Sequence, residues 1–562
     1  MRDYKPGLNY CLWKGTTGMV ILLLWITIFS GCGQNSTENH KKTFYWNMHS
    51  GIRSLDPAFA RAQFDIWGCN QLYNGLLQLD DSLQVVPAIA RGYQVEDGGK
   101  LYRFHLRQDV RFHDSPVFPN GKGRRVVAAD FVFSFNRLID PALASPGAWI
   151  FNDKIIFDST ATPPTGSFTA INDSTLEIRL REPFPPFAGL LSMQYCSVIP
   201  HEAASFFGKD FRRNPVGTGP FRFGNWDEEN MLVLKRNDHY FETENGQPLP
   251  YLDAVCISFM ANRQNEFFAF LQHNLDLLSG IDPSFKDNLL TPQGKLRPQF
   301  EGEFVMEKIP FLNTEYFGIL RDTNSPVLRN NPLRMRQVRQ AINYGFDREK
   351  MMRYLRNNIG RPATAGMVPP GLPSFSAKAV EGYSYNPQKA LRLLEEAGFP
   401  NGQGLPEIAC FTNPTYMDIA VFIQRQLQDI GIRLKIETTP PSEHRQYMAE
   451  KKMPFFRASW IADYPDAENY LALFYSPFKA PAGPNYTHFG NPTFDSLYEA
   501  SRLITNDSAR YPLYHRMERL VMEDAPVVVL FYDEVIRLIG NDVRGLNRNA
   551  LNLVSLKRVR KE

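Results

Sequence analysis

The segment Phe455-Phe456-Arg457-Ala458-Ser459-Trp460-Ile461-Ala462-Asp463-Tyr464-Pro465-Asp466 holds the most suggestive chemistry in the chain. It reads as an apolar strand running out into a polar, aromatic loop. One guanidinium, one indole and two carboxylates stand close together there. These are the groups that hold a zwitterion. A carboxylate takes an ammonium, a guanidinium takes a carboxylate, and an aromatic face packs between them. The same residues also fit a buried strand end closed by a turn at Tyr464-Pro465. The rest of the chain has to decide between the two readings.

No other segment carries a recognisable reaction motif. HExxH, GxSxG, GxGxxG and Walker sequences are all absent. Asn214-Pro215-Val216-Gly217-Thr218-Gly219-Pro220-Phe221 is a punctuated turn, but it lacks the Lys-Ser/Thr ending of a phosphate loop. The 10 histidines occur singly, without metal-ligand spacing. Arg124-Arg125 and Lys451-Lys452 are isolated charge pairs on solvated faces. This pattern favours a binding protein over an enzyme, with no metal and no cofactor expected.

At 562 residues the chain exceeds one ordinary core, so two or three domains are expected. Hydrophobic residues at 43% and charged residues at 22% match a soluble globular body. A net charge of +3 leaves no basic excess for nucleic acid. The 42 Phe and 24 Tyr suit either a large core or aromatic-lined clefts.

The N-terminus points to export. Arg2, Lys5 and Lys14 precede an apolar run from Met19 to Phe29. That run is shorter than the roughly 20 residues a membrane-spanning helix needs, so it reads as a signal-peptide core. Phe29-Ser30-Gly31-Cys32 looks like a lipobox, with Cys32 as the lipidated residue. A polar leash follows. Cys69, Cys196, Cys256 and Cys410 are widely scattered, without CxxC spacing. They read as buried free thiols, with disulfide pairing left open.

The elements that must carry these residues alternate. Phe44–Met48, Leu101–Leu106, Leu176–Leu180 and Leu232–Asn237 read as strands, and Val110–Asp114 as a continuation of the second. Phe131, Phe135 and Leu138 have helical spacing. Pro332 is expected to open a helix with Met335, Val338 and Ile342 on one face. Asn386 and Pro387 start another, which Gly398 ends. Ile419, Phe422, Ile423, Leu427 and Ile430 stripe a third, stopped by Gly431 before an Ile432–Ile436 strand. Val527–Tyr532 reads as a strand buried on both faces. Helix, glycine, strand is an α/β unit and favours an open mixed sheet with helices on its faces.

In this order the segments resemble the bacterial extracellular solute-binding proteins of family 5, the oligopeptide-, dipeptide- and nickel-binding receptors of ABC importers. The resemblance runs from Ser54 to about Tyr532. It is carried by Ser54-Leu55-Asp56-Pro57, Tyr73-Asn74-Gly75-Leu76-Leu77 and Phe104-His105-Leu106-Arg107-Gln108-Asp109-Val110-Arg111-Phe112-His113-Asp114. Ala129-Asp130-Phe131-Val132-Phe133-Ser134-Phe135 and Gly217-Thr218-Gly219-Pro220-Phe221 continue it. Arg336–Tyr344, Leu393–Gly398 and Leu427–Ile432 complete the series.

The resemblance implies an α/β, type II periplasmic-binding-protein-like fold: two lobes with mixed sheets, a hinge and an inserted third domain. Mapped here, 1–31 is the signal peptide and 32–41 the lipidated cysteine and tether. Lobe I is 42–73, 212–311 and 533–562, the insert is 74–211, and lobe II is 312–532. The lobes would close on a ligand before docking on the permease. By resemblance, Asp463 takes a peptide's α-ammonium, Trp460 is the pocket wall and Arg457 meets a peptide carboxylate. Asp466 is left as a turn residue. The implied partners are a short peptide, ABC permease subunits and a membrane reached through the lipid anchor. The implied protein is a monomer in the cell envelope, with its body in the periplasm or extracytoplasmic space. Four positions depart from the oligopeptide-binding members. Arg61 stands where they have an acidic residue, and Gly147 where they have Tyr. Asn313 and Ile461 replace one of their disulfides. The alternatives are a receptor for a non-peptide ligand such as a nickel chelate, or a sensor lipoprotein without transport.

Overall fold

The computed structural model describes residues 42–158, 160–161, 165–282 and 285–562. The expected signal peptide, the lipidation at Cys32 and the tether lie outside them. The chain is mixed α/β, organised around one large sheet.

In its first half the strands are β1 (Thr43–Asn47), β2 (Ala90–Glu96), β3 (Leu101–Leu106), β4 (Phe168–Asn172) and β5 (Thr175–Arg179). They continue as β6 (Phe221–Asp227), β7 (Met231–Arg236), β8 (Ala254–Ser258) and β9 (Leu277–Ser279). The second half adds β10 (Phe304–Ile319), β11 (Ile408–Thr412), β12 (Leu434–Thr438), β13 (Phe455–Ile461) and β14 (Val527–Gly540). The main sheet has the order β6-β7-β8-β1-β9-β14-β10-β13-β11-β12, and the short pair Arg361–Pro362 adds to β14. A separate sheet has the order β2-β3-β5-β4.

The helices used below are α1 (Gln63–Leu72), α2 (Ala128–Ile139), α3 (Arg336–Tyr344), α4 (Pro387–Glu396), α5 (Met417–Gln428) and α6 (Pro441–Ala449), followed by α7 (Glu468–Leu471) and α8 (Asp507–Asp524). In α2, Phe131, Phe135 and Leu138 are buried, and the Asp130 carboxylate accepts the Val127 N–H at 2.9 Å. In α4, Asn386 accepts the Lys389 N–H at 2.9 Å, and Gly398 beyond the helix has φ +87°. A left-handed residue costs glycine little, so it ends the helix cleanly.

Two expectations change. Pro332–Arg334 forms its own 3-10 turn, and the helix starts only at Arg336. Met335 is extended and 43% exposed, so it leaves the buried face that Val338 and Ile342 share. Val110–Asp114 is not a strand. Arg111 makes a single bridge with Arg125, and Asp114 turns to pair with Lys122.

The segment after β1 does not build a core of its own. Phe104, Phe131 and Phe187 pack in one continuous cluster with Phe44, Trp46 and Leu232. In the second half, Val527 and Val529 face one cluster, while Val528 and Leu530 face another on the opposite side of the sheet. Each such side chain contributes roughly 1.5–3 kcal/mol by leaving water. The four cysteines are free thiols; Cys69, Cys196 and Cys410 are buried and Cys256 is half-buried.

Strands β10 and β14 run antiparallel through the middle of the molecule. They pair over Phe304–Pro310 with Glu534–Gly540, and again over Thr314–Gly318 with Val527–Tyr532. The register breaks between Pro310 and Thr314. Pro310 has no N–H to continue the ladder. The Leu312 N–H turns away to the Ala550 carbonyl at 2.7 Å. Strand β9 joins β14 on one side of the break, at Arg537–Ile539. Strand β13 joins β10 on the other side, at Asn313–Ile319.

The loop at 363–368 is clamped onto this crossing. Tyr532 donates its hydroxyl to the Gly366 carbonyl at 2.7 Å, and Thr314 donates to the Met367 carbonyl at 3.0 Å. Glu518 of α8 accepts the Val368 N–H at 3.0 Å. Burial raises the Glu518 pKa to about 7, against the pull of the backbone N–H groups it accepts. The folded chain therefore holds this proton to higher pH than the unfolded chain does. Its contribution is full below the ordinary carboxyl pKa and is lost as pH rises through about 7, amounting to about 3 kcal/mol. The unfolding midpoint should fall between pH 5 and pH 8, and Glu518→Gln should flatten that fall. A Glu518→Gln variant that declines as steeply as the parent would rule Glu518 out as the cause.

Candidate functional site

The opening stretch of the sequence falls where strand β13 leaves the crossing. Its last paired residue, Ile461, sits opposite Asn313. The next N–H, from Ala462, is held by the Leu312 carbonyl at 2.9 Å, and the Tyr470 hydroxyl donates to the same oxygen at 2.7 Å. The loop that follows is therefore pinned at the register break.

Asp463 comes next and opens into a cavity of about 790 Å³. Its N–H reaches Asn469 Oδ1 at 3.4 Å, and Trp460 Nε1 donates to that same oxygen at 2.7 Å. Asp463 is exposed where it lines the cavity, and desolvation by the protein around its carboxyl raises its pKa. Asn469 and the nearby Arg61 pull it back down. Asp463 makes no ion pair among the described residues. It is a carboxylate lining a cavity with no cationic side chain bonded to it among the described residues, and a carboxylate in that position can pair with a cation.

The facing walls come from the first half of the chain. Trp149, Tyr195 and Gln194 line the cavity opposite Asp463. The Trp149 and Tyr464 rings approach to 6.3 Å between centroids and close one flank. Tyr195 has its pKa raised to about 12, by burial first and by Asp463 second. The remaining charges in the lining are Arg61, just before α1, and Arg445 on α6.

The other residues of the stretch have different work. Arg457 does not line the cavity. On a strand, 457 and 460 project from opposite faces. Arg457 Nη2 pairs with the buried Glu315 at 2.5 Å, and its guanidinium lies 3.4 Å over the Tyr416 ring. The expectation that it meets a ligand carboxylate finds no support in this geometry, because its charge is bound by Glu315. Trp460 is not a cavity wall either. It packs half-buried with the cluster holding Phe456 and Ala458, and acts on Asp463 through Asn469. Asp466 is structural, as its place in the turn suggests. It accepts the Glu468 N–H at 2.8 Å and the Tyr514 hydroxyl at 2.9 Å, and it pairs with Arg510 at 2.9 Å. Burial raises its pKa to about 6.

Arg61, Trp149, Tyr195 and Arg445 are cavity residues that sequence reasoning did not assign. Arg61 stood out only as a departure from a familiar pattern, and Trp149 lies two residues after another, Gly147. Tyr195 and Arg445 had no local signal. Among the described residues, no cluster of three or more His, Cys, Asp or Glu is arranged to hold a metal ion.

Removing Arg457 should act on stability, because it leaves Glu315 buried and unpaired. Arg457→Ala is expected to lose about 3 kcal/mol in urea unfolding at pH 8. The loss should shrink at pH 5, because lower pH favours the uncharged form of Glu315, whose pKa burial raises. No change in stability at either pH would contradict the buried pairing.

Three kinds of likeness bear on the site. The family profile described as "Bacterial extracellular solute-binding proteins, family 5 Middle" matches residues 84–482. The dipeptide-binding protein of Escherichia coli (strain K12) is 25% identical over 489 residues, covering 84% of this chain and 86% of that protein. Among solved structures, the unliganded open form of the periplasmic murein tripeptide binding protein MppA superposes with a TM-score of 0.77 at 23% identity, covering 93% of this chain and 97% of that one. The periplasmic binding protein DppA from Helicobacter pylori, in complex with the peptide STSA, gives 0.71 at 24% identity, covering 94% and 100%. The fold is that of the type II periplasmic binding proteins.

Proposed function

The chain belongs to the bacterial extracellular solute-binding proteins of family 5, and we propose that it is the lipid-anchored receptor of an ABC importer for short peptides. Proteins of this family are binding receptors, so the chain is not an enzyme. The observation that carries the ligand reading is Asp463, the one carboxylate lining the cavity, with no cation bound to it. A peptide's α-ammonium supplies that cation. Trp149 and Tyr195 pack against the peptide, and backbone contacts tolerate varied side chains.

The lobes of this reading are 42–73, 212–311 and 533–562 for the first, with 74–211 inserted, and 312–532 for the second. They swing about the break at Pro310–Thr314 and its partner at Tyr532–Glu534, where the ladder is already interrupted. Ligand held between Asp463 and the Trp149–Tyr195 wall stabilises the closed form, which then docks on the permease. Cys32 carries the lipid that keeps the body at the membrane on the extracytoplasmic side.

Isothermal titration with di- to pentapeptides should give binding heat. Asp463→Asn should weaken free-amine peptides by about tenfold or more, while N-acetylated peptides bind poorly to both forms. Absence of heat with every peptide would sink the ligand assignment. Equal loss for free and acetylated peptides would sink the ammonium pairing.

A further inference from the structure

The cavity carries more positive charge than a zwitterion needs. Its charged lining residues are Arg61, Arg445 and Asp463. Neither arginine has an ion-pair or side-chain hydrogen-bond partner among the described residues, and both are exposed. The arginines packed around the site behave otherwise: Arg457 is bound to Glu315, Arg510 to Asp466 and Arg137 to Asp56. Arg61 is close enough to Asp463 to lower its pKa without bonding to it.

A second chamber of about 380 Å³ shares part of its wall with this cavity, including Asn70, Ser192 and Gln194. Its lining holds no unpaired cation: Lys557 and Arg558 pair with Glu242 at 2.6 Å and Glu244 at 2.9 Å, and Asp80 and Asp81 add negative charge. The unmatched positive charge is therefore local to the Asp463 cavity.

The two free guanidiniums come from opposite halves of the chain. Arg61 precedes α1 in the first half. Arg445 sits on α6, which His444 anchors to strand β13. His444 Nε2 donates to the Arg457 carbonyl at 2.8 Å, and its Nδ1 accepts the Thr439 hydroxyl at 2.6 Å. Ligand between the halves can thus meet one arginine from each side. A neutral peptide matches Asp463 with its ammonium and one arginine with its carboxylate. One guanidinium is then left in a closing cleft without a counter-charge, which is costly.

From this arrangement we infer that the cavity selects short peptides with one net negative charge: one ammonium for Asp463 and two carboxylates for Arg61 and Arg445. The second carboxylate is that of an acidic side chain. Guanidinium binds it bidentately, which fixes its position as well as its charge. This selection rests on the peptide reading above.

The test is calorimetry at low ionic strength. The alanine di-, tri- or tetrapeptide that binds best sets the reference. Each of its single-glutamate and single-lysine isomers is then titrated. At least one glutamate isomer should bind about tenfold tighter than the reference, with its lysine counterpart weaker. That preference should collapse in Arg61→Gln or Arg445→Gln and return with lysine at the same position. If the alanine peptide binds and no glutamate isomer binds tighter, the charge selection is wrong and the peptide reading stands. A preference that survives in both glutamine variants also overturns it. If no peptide of any composition binds, the peptide reading falls and takes this inference with it.

Discussion

Two backbone strands cross the molecule, and they cannot stay paired along their whole length. Pro310 removes one donor, and the next residues turn their hydrogen bonds elsewhere. Leu312 gives its N–H to Ala550 and its carbonyl to Ala462 and Tyr470. That exchange pairs both backbone groups of Leu312 at the break. It also fixes where strand β13 ends and where Asp463 begins. The cavity residue is thus set by main-chain hydrogen bonds at the point where the β10–β14 ladder is interrupted.

The side chains at the break form a charged chain. Arg457 holds Glu315, Asn313 donates to Glu315 and Asp533 at 3.2 Å each, and Arg356 pairs with Asp533 at 3.0 Å. Burial raises the Glu315 pKa, and Arg457 opposes that rise. Such a network favours one arrangement of the crossing over others, since each buried charge left alone costs several kcal/mol. It explains why a cation and a carboxylate so near in sequence act separately. Arg457 is occupied by the scaffold, and Asp463, which makes no ion pair among the described residues, is the carboxylate that the proposed reading gives to a ligand. The guanidiniums that remain free in the cavity come from elsewhere.

Local chemistry was legible where its cause is local. Asn386, Pro387 and Gly398 announce helix α4 because cap, first turn and stop lie within a few residues. The run Val527–Tyr532 announces a doubly covered strand, but its continuation to Gly540 follows from pairing with β10, which no short window contains. The place of Asp463 at a strand-to-loop junction was legible from the apolar strand before it, whereas its proposed ligand role came only from the family resemblance. The role of Arg457 was not, because Glu315 lies 142 residues away and only the register of β10 with β13 brings it near. Tyr195 and Arg445 have neighbours drawn wholly from distant segments. Met335 shows the opposite error: a regular spacing was extended one residue too far, past a proline turn.

The central claim is that Asp463 awaits the ammonium of a peptide. A receptor of this kind retains its ligand through purification when closure is tight. Mass spectrometry of the small molecules released on denaturing the freshly purified protein tests the claim most directly. The account predicts short peptides with free α-amines, acidic ones prominent among them. A released ligand with no amine, such as a metal chelate or a sugar, would contradict it.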